Sequence, residues 1–386
     1  MIHIIREEQC CGCTACEAIC PVDAITMKQD QQGFRYPHIN SEICVKCNLC
    51  EKVCPFHEKD TQNLPKKIFG GIIADRLSES KSQSGGLAFC LAENFIRNSG
   101  CIYGVAFDEN FEVRHFRATT LTEIEPFRKS KYVQSNLSGI FSQIAKDLSA
   151  GRKVLFFGVG CQVAGLVSYC KLKHLDTTSL TTVDIICHGV TSPLYWDDYL
   201  KLIRKRLKSD IIAYSFRDKE PYGWNSSQSS ISLASGKKIF PDRNFYHSLL
   251  FRRSCNVCHF TNLSRISDIT LGDFWGVEQS HPEINISNRG VSLIIVNTTK
   301  GEQLLDEVKE QLILFESNAE KCMQPQLKGP TPIHPLKSQW EQEYLNFGFE
   351  KAIKHLDIVI TPSPWKSLLK SIPIRVKKLI NHFGTK

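Results

Sequence analysis

Beyond residue 67 the chain alternates between short apolar runs and segments whose apolar residues return every three or four positions. IFGGIIAD (68–75), CIYGVAF (101–107), FEVRHF (111–116), KVLFF (153–157) and TTVDIIC (181–187) have strand character, with further runs at 211–217, 229–233, 268–272 and 291–297. Residues 84–97, 138–149, 161–170 and 193–206 carry the helical period, and a last helix is expected near 301–311. Strands and helices taking turns in this way predict an α/β body built on one mixed sheet. The polar, proline-bearing HEKDTQNLPKK (57–67) sets this body apart from what precedes it, as a linker.

The composition is that of a soluble globular protein with real cores, 42 % hydrophobic and 23 % charged, and 386 residues exceed one small domain. No run approaches the ~20 apolar residues of a membrane-spanning helix. The opening MIHIIREEQC shows no secretory pattern, so a cytoplasmic location is expected. A net charge of +8 would suggest nucleic acid if it were spread over one face. Instead, no acid follows Asp357, while Lys366, Lys370, Arg375, Lys377, Lys378 and Lys386 do. The remaining body is nearly neutral and lacks a basic, aromatic-laced stripe, so nucleic acid is not an expected partner.

Seventeen cysteines change the picture more than charge does. Cys10, Cys13, Cys16 and Cys20 obey C-x2-C-x2-C-x3-C-P, and so do Cys44, Cys47, Cys50 and Cys54. In such a run the first three thiolates hold one iron–sulfur cube and the fourth ligates the other. Cys10, Cys13, Cys16 and Cys54 are therefore assigned to one [4Fe-4S] cluster, and Cys44, Cys47, Cys50 and Cys20 to a second. Zinc sites take four ligands in two pairs and have no use for three plus a remote fourth, twice over. Cys11 is out of phase with both runs and reads as a bystander. Residues 1–60 resemble bacterial two-cluster ferredoxins, which carry single electrons. The fold class is thus α+β: a two-cluster ferredoxin-like domain followed by an α/β body with a mixed sheet.

VLFFGVGCQVAGL (154–166) has the look of a nucleotide-binding glycine loop, but G-x-G-x-x-G needs glycine at 163, where Val163 stands. The acid expected at the end of the next strand is missing too, since Asp184 lies inside TTVDIIC. What the pattern offers is a βαβ unit whose two strands each finish in a cysteine, Cys161 and Cys187, plus a close pair, Cys255 and Cys258. Four thiols suffice for a third [4Fe-4S] cluster; two buried structural cysteines and a stray pair are the alternative, and spacing alone leaves both open. Cys161 at a helix start is expected to lean toward thiolate.

SQSGGLAFCLAENFI, RKSKYVQSN, VLFFGVGCQVAGL, DIICHGVTSPLYWDDYL, CNVCHF and SDITLGDFWG occur in that order. Together they resemble the family of coenzyme F420 hydrogenase and dehydrogenase beta subunits over about residues 65–300. The resemblance implies a flavoprotein with FAD and a [4Fe-4S] cluster on Cys161, Cys187, Cys255 and Cys258. It implies flavin contacts at Ser84, Gly85 and Gly86, which precede a helix whose positive end suits a diphosphate, and at Lys131 and Tyr132. An ordinary helix cap and a solvated surface pair are the alternatives for these two groups. His188 and His259 adjoin proposed ligands and are expected to shape the cluster environment. Domains follow as 1–60, a linker 61–67, an FAD and iron–sulfur oxidoreductase domain 68–330, and a basic helical tail 331–386. The expected function is electron transfer between ferredoxin-type clusters and FAD, and two-electron exchange with a small organic substrate such as F420. A redox partner protein, ferredoxin or another carrier, is implied. The alternative is a relay subunit whose substrate site belongs to a partner, linked to surface-polysaccharide synthesis. The tail either packs on the body or touches a membrane surface or partner, and packing is favoured.

Overall fold

The computed structural model describes residues 2, 6–57, 62–219, 223, 224, 226, 228–241, 245, 247–284 and 289–358. In the first 57, the two cysteine runs repeat one another's backbone. Gly12 and Thr14 have φ of 70° and 67°, and their counterparts Lys46 and Asn48 have 54° and 61°. Left-handed residues at these places bend the chain tightly between successive cysteines. Each run then enters a short helix, Ala15–Ile19 or Leu49–Lys52, and a proline follows each run's last cysteine. Between them lies a hairpin of β1 (Ile25–Gln29) and β2 (Arg35–Ile39), pairing Ile25 with Ile39. Its turn is closed by the Asp30 carboxylate, which accepts the Gln32 and Phe34 N–H groups at 2.9 Å.

The body begins with β3 (Lys67–Ile73), β4 (Cys101–Phe107), β5 (Val113–Ala118), β6 (Val154–Val159) and β7 (Leu180–Ile185). Next, β8 (Ile211–Ser215), β9 (Ser230–Leu233) and β10 (Lys238–Ile239) form a separate antiparallel sheet. β11 (Ile269–Asp273), β12 (Ser292–Val296) and β13 (Leu312–Ser317) then return, completing eight strands in the order β13-β3-β12-β11-β7-β6-β4-β5. The expected single sheet is therefore two. Both edges of β7 are taken, by β6 and β11, so the strand after the helix Pro193–Leu207 pairs with its own successor β9.

Alternation along each strand sorts side chains between two helical layers. Val154 and Phe156 of β6 face the helices Ile140–Ser149 and Gly160–Leu172, while Leu155 faces Leu87–Arg97 and Thr299–Asp306. All three are fully buried, each contributing about 1.5–3 kcal/mol. The first of these cores also contains Cys13, Ala15, Cys16, Ile19, Val53 and Cys54, so the N-terminal region is packed into the body. Residues 62–67, expected within a linker, run along it: Asn63 exchanges backbone hydrogen bonds with Arg265 and the Lys66 N–H donates to the Val296 carbonyl.

In the expected tail, the helices Lys337–Phe347 and Phe349–His355 pack Trp340, Tyr344 and Phe349 against Tyr195 and its neighbours. The basic stretch beyond residue 358 lies outside the described residues. Among those described, no helix is long and apolar enough to cross a membrane.

His115 on β5 is buried against Phe156, its Nε2–H donating to the Phe157 carbonyl at 3.0 Å while Nδ1 has no partner. Burial pushes its pKa from 6.5 down to about 4. Between those values the unfolded chain holds a proton that the fold excludes, so stability falls as pH drops through the window, by about 3 kcal/mol in all. Urea midpoints at pH 7 and pH 5 should therefore differ in the native sequence, and His115→Gln should shrink that difference.

Candidate iron–sulfur centres and the adjoining cofactor pocket

Cys20, Cys44, Cys47 and Cys50 line one pocket of about 350 Å3, together with Val22, Ile25 and Ile39. Cys10, Cys13, Cys16 and Cys54 form a second group in the core: Cys13, Cys10 and Cys54 all act electrostatically on Cys16. Each group thus joins three thiols of one run to the last of the other. Backbone N–H groups of Gly12, Ala24 and Ile2 donate to the sulfurs of Cys10, Cys20 and Cys50 at 3.4, 3.2 and 3.2 Å. Such donors favour sulfur in its anionic, metal-bound form and tune a cluster's potential. Among the described residues no three His, Cys, Asp or Glu side chains close on a single bare ion. The sulfurs of Cys20, Cys44, Cys47 and Cys50 instead surround a space, as corner ligands of a cube do.

The third group is positioned by sheet register. Val159 pairs with Ile185 at the parallel ends of β6 and β7, and Cys161 and Cys187 each lie two residues further on. The 3-10 turn Arg253–Val257 adds Cys255, and Cys258 follows it. All four thiols line a pocket of about 610 Å3 with Cys11, Phe56 and His188. The expected thiolate bias of Cys161 is not what the site shows. A hydrogen bond from Cys11 draws its pKa down, but burial and the thiols of Cys258, Cys187 and Cys255 carry it up to about 11. Burial likewise pushes Cys258 to about 11. The bare site is a set of protonated thiols, and metal loading must displace those protons.

Two buried arginines hold this site in shape. Arg265 pairs with Asp184, fully buried inside β7, and also donates to the Phe260 carbonyl, which fixes the loop after Cys258. The acid that disqualified a nucleotide loop is thus a strut beneath Cys161. Arg252 donates to the carbonyls of Cys10 at 2.8 Å and Arg35 at 3.0 Å, with its guanidinium 4.0 Å from the Tyr36 ring centre. It ties the turn of Cys255 to the loop of the first cluster. At Gly165 an added Cβ would lie 2.9 Å from the Cys13 sulfur, so glycine is required for that approach. Sequence reading missed Arg252, Gly165 and Cys11; only the glycine inside a helical pattern signalled close packing. His188 lines the pocket, and His259 stacks on Phe56 at 4.9 Å.

A second, larger pocket of about 1070 Å3 abuts the first, and Val159, Gln162 and Val190 line both. Gly86 and Phe89, at the start of the helix Leu87–Arg97, form one wall, with Arg128, Lys129 and Lys131 beside them. Arg128, Lys129 and Lys131 give the pocket a basic edge, with Arg128 paired to Glu125 at 2.8 Å. Arg128 lies over the Phe89 ring and donates to the Ser82 hydroxyl at 2.6 Å. Ser84 and Gly85 turn elsewhere. The Ser84 hydroxyl donates to the Val291 carbonyl at 2.6 Å and the Gly85 N–H to the Ser292 hydroxyl at 3.1 Å, pinning the loop to the chain around β12. Lys131 reaches the pocket, but its amine donates to the carbonyls of Pro126, Arg128 and Lys129 at 2.7, 2.7 and 3.2 Å. Burial pushes its pKa to about 7; the three acceptors, using every N–H of the ammonium, oppose that. Tyr132 packs edge-on to Phe216 and is not part of this wall. Apolar walls with cations at a helix start suit a planar ring system bearing an anionic group.

Thiols in fours, spaced by this fold, define an iron–sulfur electron-transfer protein. Residues 9–57 match the 4Fe-4S dicluster domain, and residues 151–321 match the family described as the C terminus of the coenzyme F420 hydrogenase/dehydrogenase beta subunit. The chain thus carries a dicluster-domain match ahead of a region that matches this oxidoreductase family. It is 27 % identical over 332 residues to the F subunit of the F(420)H(2) dehydrogenase of Methanosarcina mazei, covering 81 % of this chain and 86 % of that protein. A chain of the F420-reducing [NiFe] hydrogenase complex from Methanosarcina barkeri aligns with 80 % of this chain and 99 % of its own, at TM-score 0.46 and 16 % identity.

Replacing Arg252 with alanine should leave two buried carbonyls unpaired and cost about 3 kcal/mol. Arg252→Lys, which keeps the charge but not the fork, should recover only part. Anaerobic urea titrations of the three proteins, followed by tryptophan fluorescence, measure both.

Proposed function

We propose that this protein is an iron–sulfur flavoprotein oxidoreductase. The observation that carries this reading is the common wall between the four-thiol pocket and the larger one. A cluster on Cys161, Cys187, Cys255 and Cys258 would stand one side chain away from a cofactor in the larger pocket. When bound there, FAD supplies the exchange between single electrons and the two electrons of an organic substrate. Arg128 and Lys129 would face its diphosphate, with the helix start at Gly86 adding the positive end of its dipole. Gln162, held by the Val159 N–H and itself donating to Ser135, would keep the common wall rigid. Lys131 would order the loop that presents the two cations. The same basic edge would receive the anionic tail of F420 if that is the substrate.

Electrons would pass between an external one-electron carrier and the Cys20, Cys44, Cys47 and Cys50 group first, because Cys47 is the exposed thiol of that group. The first cluster and the third would follow. The second reading, a relay subunit whose substrate site lies on a partner, is supported by the Methanosarcina mazei relative, which is named as one subunit of a dehydrogenase.

Protein purified without oxygen should contain about twelve irons, matching sulfide and one flavin. About eight irons would remove the third cluster, and absence of flavin would remove the flavoenzyme. Bound flavin reduced directly by reduced F420 or a small hydride donor supports the enzyme, whereas reduction only in the presence of a partner protein supports the relay.

A further inference from the structure

Ser84 has a φ of 53°, a left-handed conformation that a residue with a side chain rarely adopts. Such a residue persists only where its surroundings over-determine it, and here they do. Its hydroxyl and the Gly85 N–H are bound to the chain around β12, and the Gly85 carbonyl accepts the Ile73 N–H at 2.8 Å. The Ser84 carbonyl accepts from Lys219 at 2.9 Å, a residue just past β8 of the separate sheet. The same ammonium donates to the Glu79 carboxylate at 2.6 Å, and to the carbonyls of Glu79 and Arg289 at 3.0 and 3.1 Å. The Glu79 carboxylate also takes the Arg289 Nε–H at 3.3 Å, and Arg289 reaches on to the Ile73 carbonyl at 3.1 Å. All three side chains are largely buried.

Ser78 and Ser82 carry this grip to the larger pocket. Arg128 donates from one nitrogen to the Ser78 carbonyl at 3.1 Å and the Ser82 hydroxyl at 2.6 Å, and from another to the Ser78 hydroxyl at 3.2 Å. Its outer edge pairs with the exposed Glu125. Ser82, Gln83 and Gly86 line the pocket with Arg128, whereas Glu79, Ser84 and Lys219 are not part of its wall. We propose that Lys219 is a positioning residue for that pocket: from the separate sheet it locks residues 79–86, and with them the Arg128 guanidinium, where the anionic group of a cofactor is received. The proposal rests on the cofactor of the proposed function. A buried ammonium that needs acceptors for all its N–H groups and finds them at Glu79, Ser84 and Arg289 leaves this segment one arrangement. Ser84 and Gly85, expected to touch the flavin, hold the shape of the wall instead.

The full chain, purified without oxygen, is compared as native protein, Lys219→Met, Glu79→Gln and Lys300→Met. Lys300 is the matched control: its ammonium also binds main-chain carbonyls, those of Thr177 and Leu180 at 2.9 and 2.8 Å, but at the far end of β7 from Ile185, which lines the pocket. FAD affinity is read from the fluorescence of flavin released on dilution and its seating from visible circular dichroism, beside iron analysis and urea midpoints. Lys219→Met should weaken FAD binding about tenfold and reduce the flavin dichroism. Glu79→Gln should do both to a smaller degree, and Lys300→Met should lose stability but bind FAD as the native protein does. A loss of affinity in Lys219→Met no larger than in Lys300→Met overturns the proposal. So does native affinity in Glu79→Gln, which decides the matter if Lys219→Met does not fold. Native protein without flavin is a different failure, that of the cofactor reading itself.

Discussion

Arg252 is fully buried, and its guanidinium meets main-chain carbonyls and aromatic rings. Taking such a charge out of water costs several kcal/mol unless every donor is met, so its fork can rest in one geometry only. That geometry joins the loop of Cys10 to the turn of Cys255, parts of the chain more than two hundred residues apart. The charge itself is favoured by the sulfurs around it, those of Cys10, Cys11 and Cys255. The cation therefore relates two ligand groups both by where it points and by what it compensates.

Around that clamp the candidate centres differ in their exposure to water. The Cys20, Cys44, Cys47 and Cys50 pocket opens beside the exposed side chains of Ile43 and Val45. Cys13, Cys16 and Cys54 lie inside the shared core, and Cys10 is buried beside them. The third group sits at the ends of β6 and β7, and the large pocket lies beyond its wall. The Cys10, Cys13, Cys16 and Cys54 thiols are buried, whereas Cys161, Cys187, Cys255 and Cys258 are partly exposed, and such differences in exposure are a principal means by which a protein spreads the potentials of like cofactors.

Much of this was legible in the sequence because iron–sulfur runs are local. C-x2-C-x2-C-x3-C-P repeated twice names its ligands without any knowledge of the fold, and strand alternation located β3 to β7 and β11 to β12 within a few residues. β13 was missed because LILFES follows a helix directly and lies half-exposed at the sheet edge, where the apolar signal is weakest. The division into two sheets could not be read either, since it depends on which edges of β7 are occupied. Of the residues the sequence suggested for a flavin, Gly86 and Lys131 line the candidate cofactor pocket. Ser84 and Tyr132 turn away from its wall, while Arg128 and Lys129, neighbours of the residues singled out, reach it. Cys11 looked idle because the pocket it lines with Cys161, Cys187, Cys255 and Cys258 is assembled only in three dimensions.

The equal placement of Cys161 and Cys187 two residues past the Val159–Ile185 pair has a consequence for accuracy of folding. Sliding β7 by a single residue against β6 would displace one thiol by about 3.3 Å and also turn the apolar face of the strand toward the wrong layer. Oil and water thus proofread the candidate site: any misalignment large enough to part Cys161 from Cys187 also exposes Val183 or buries the wrong neighbour.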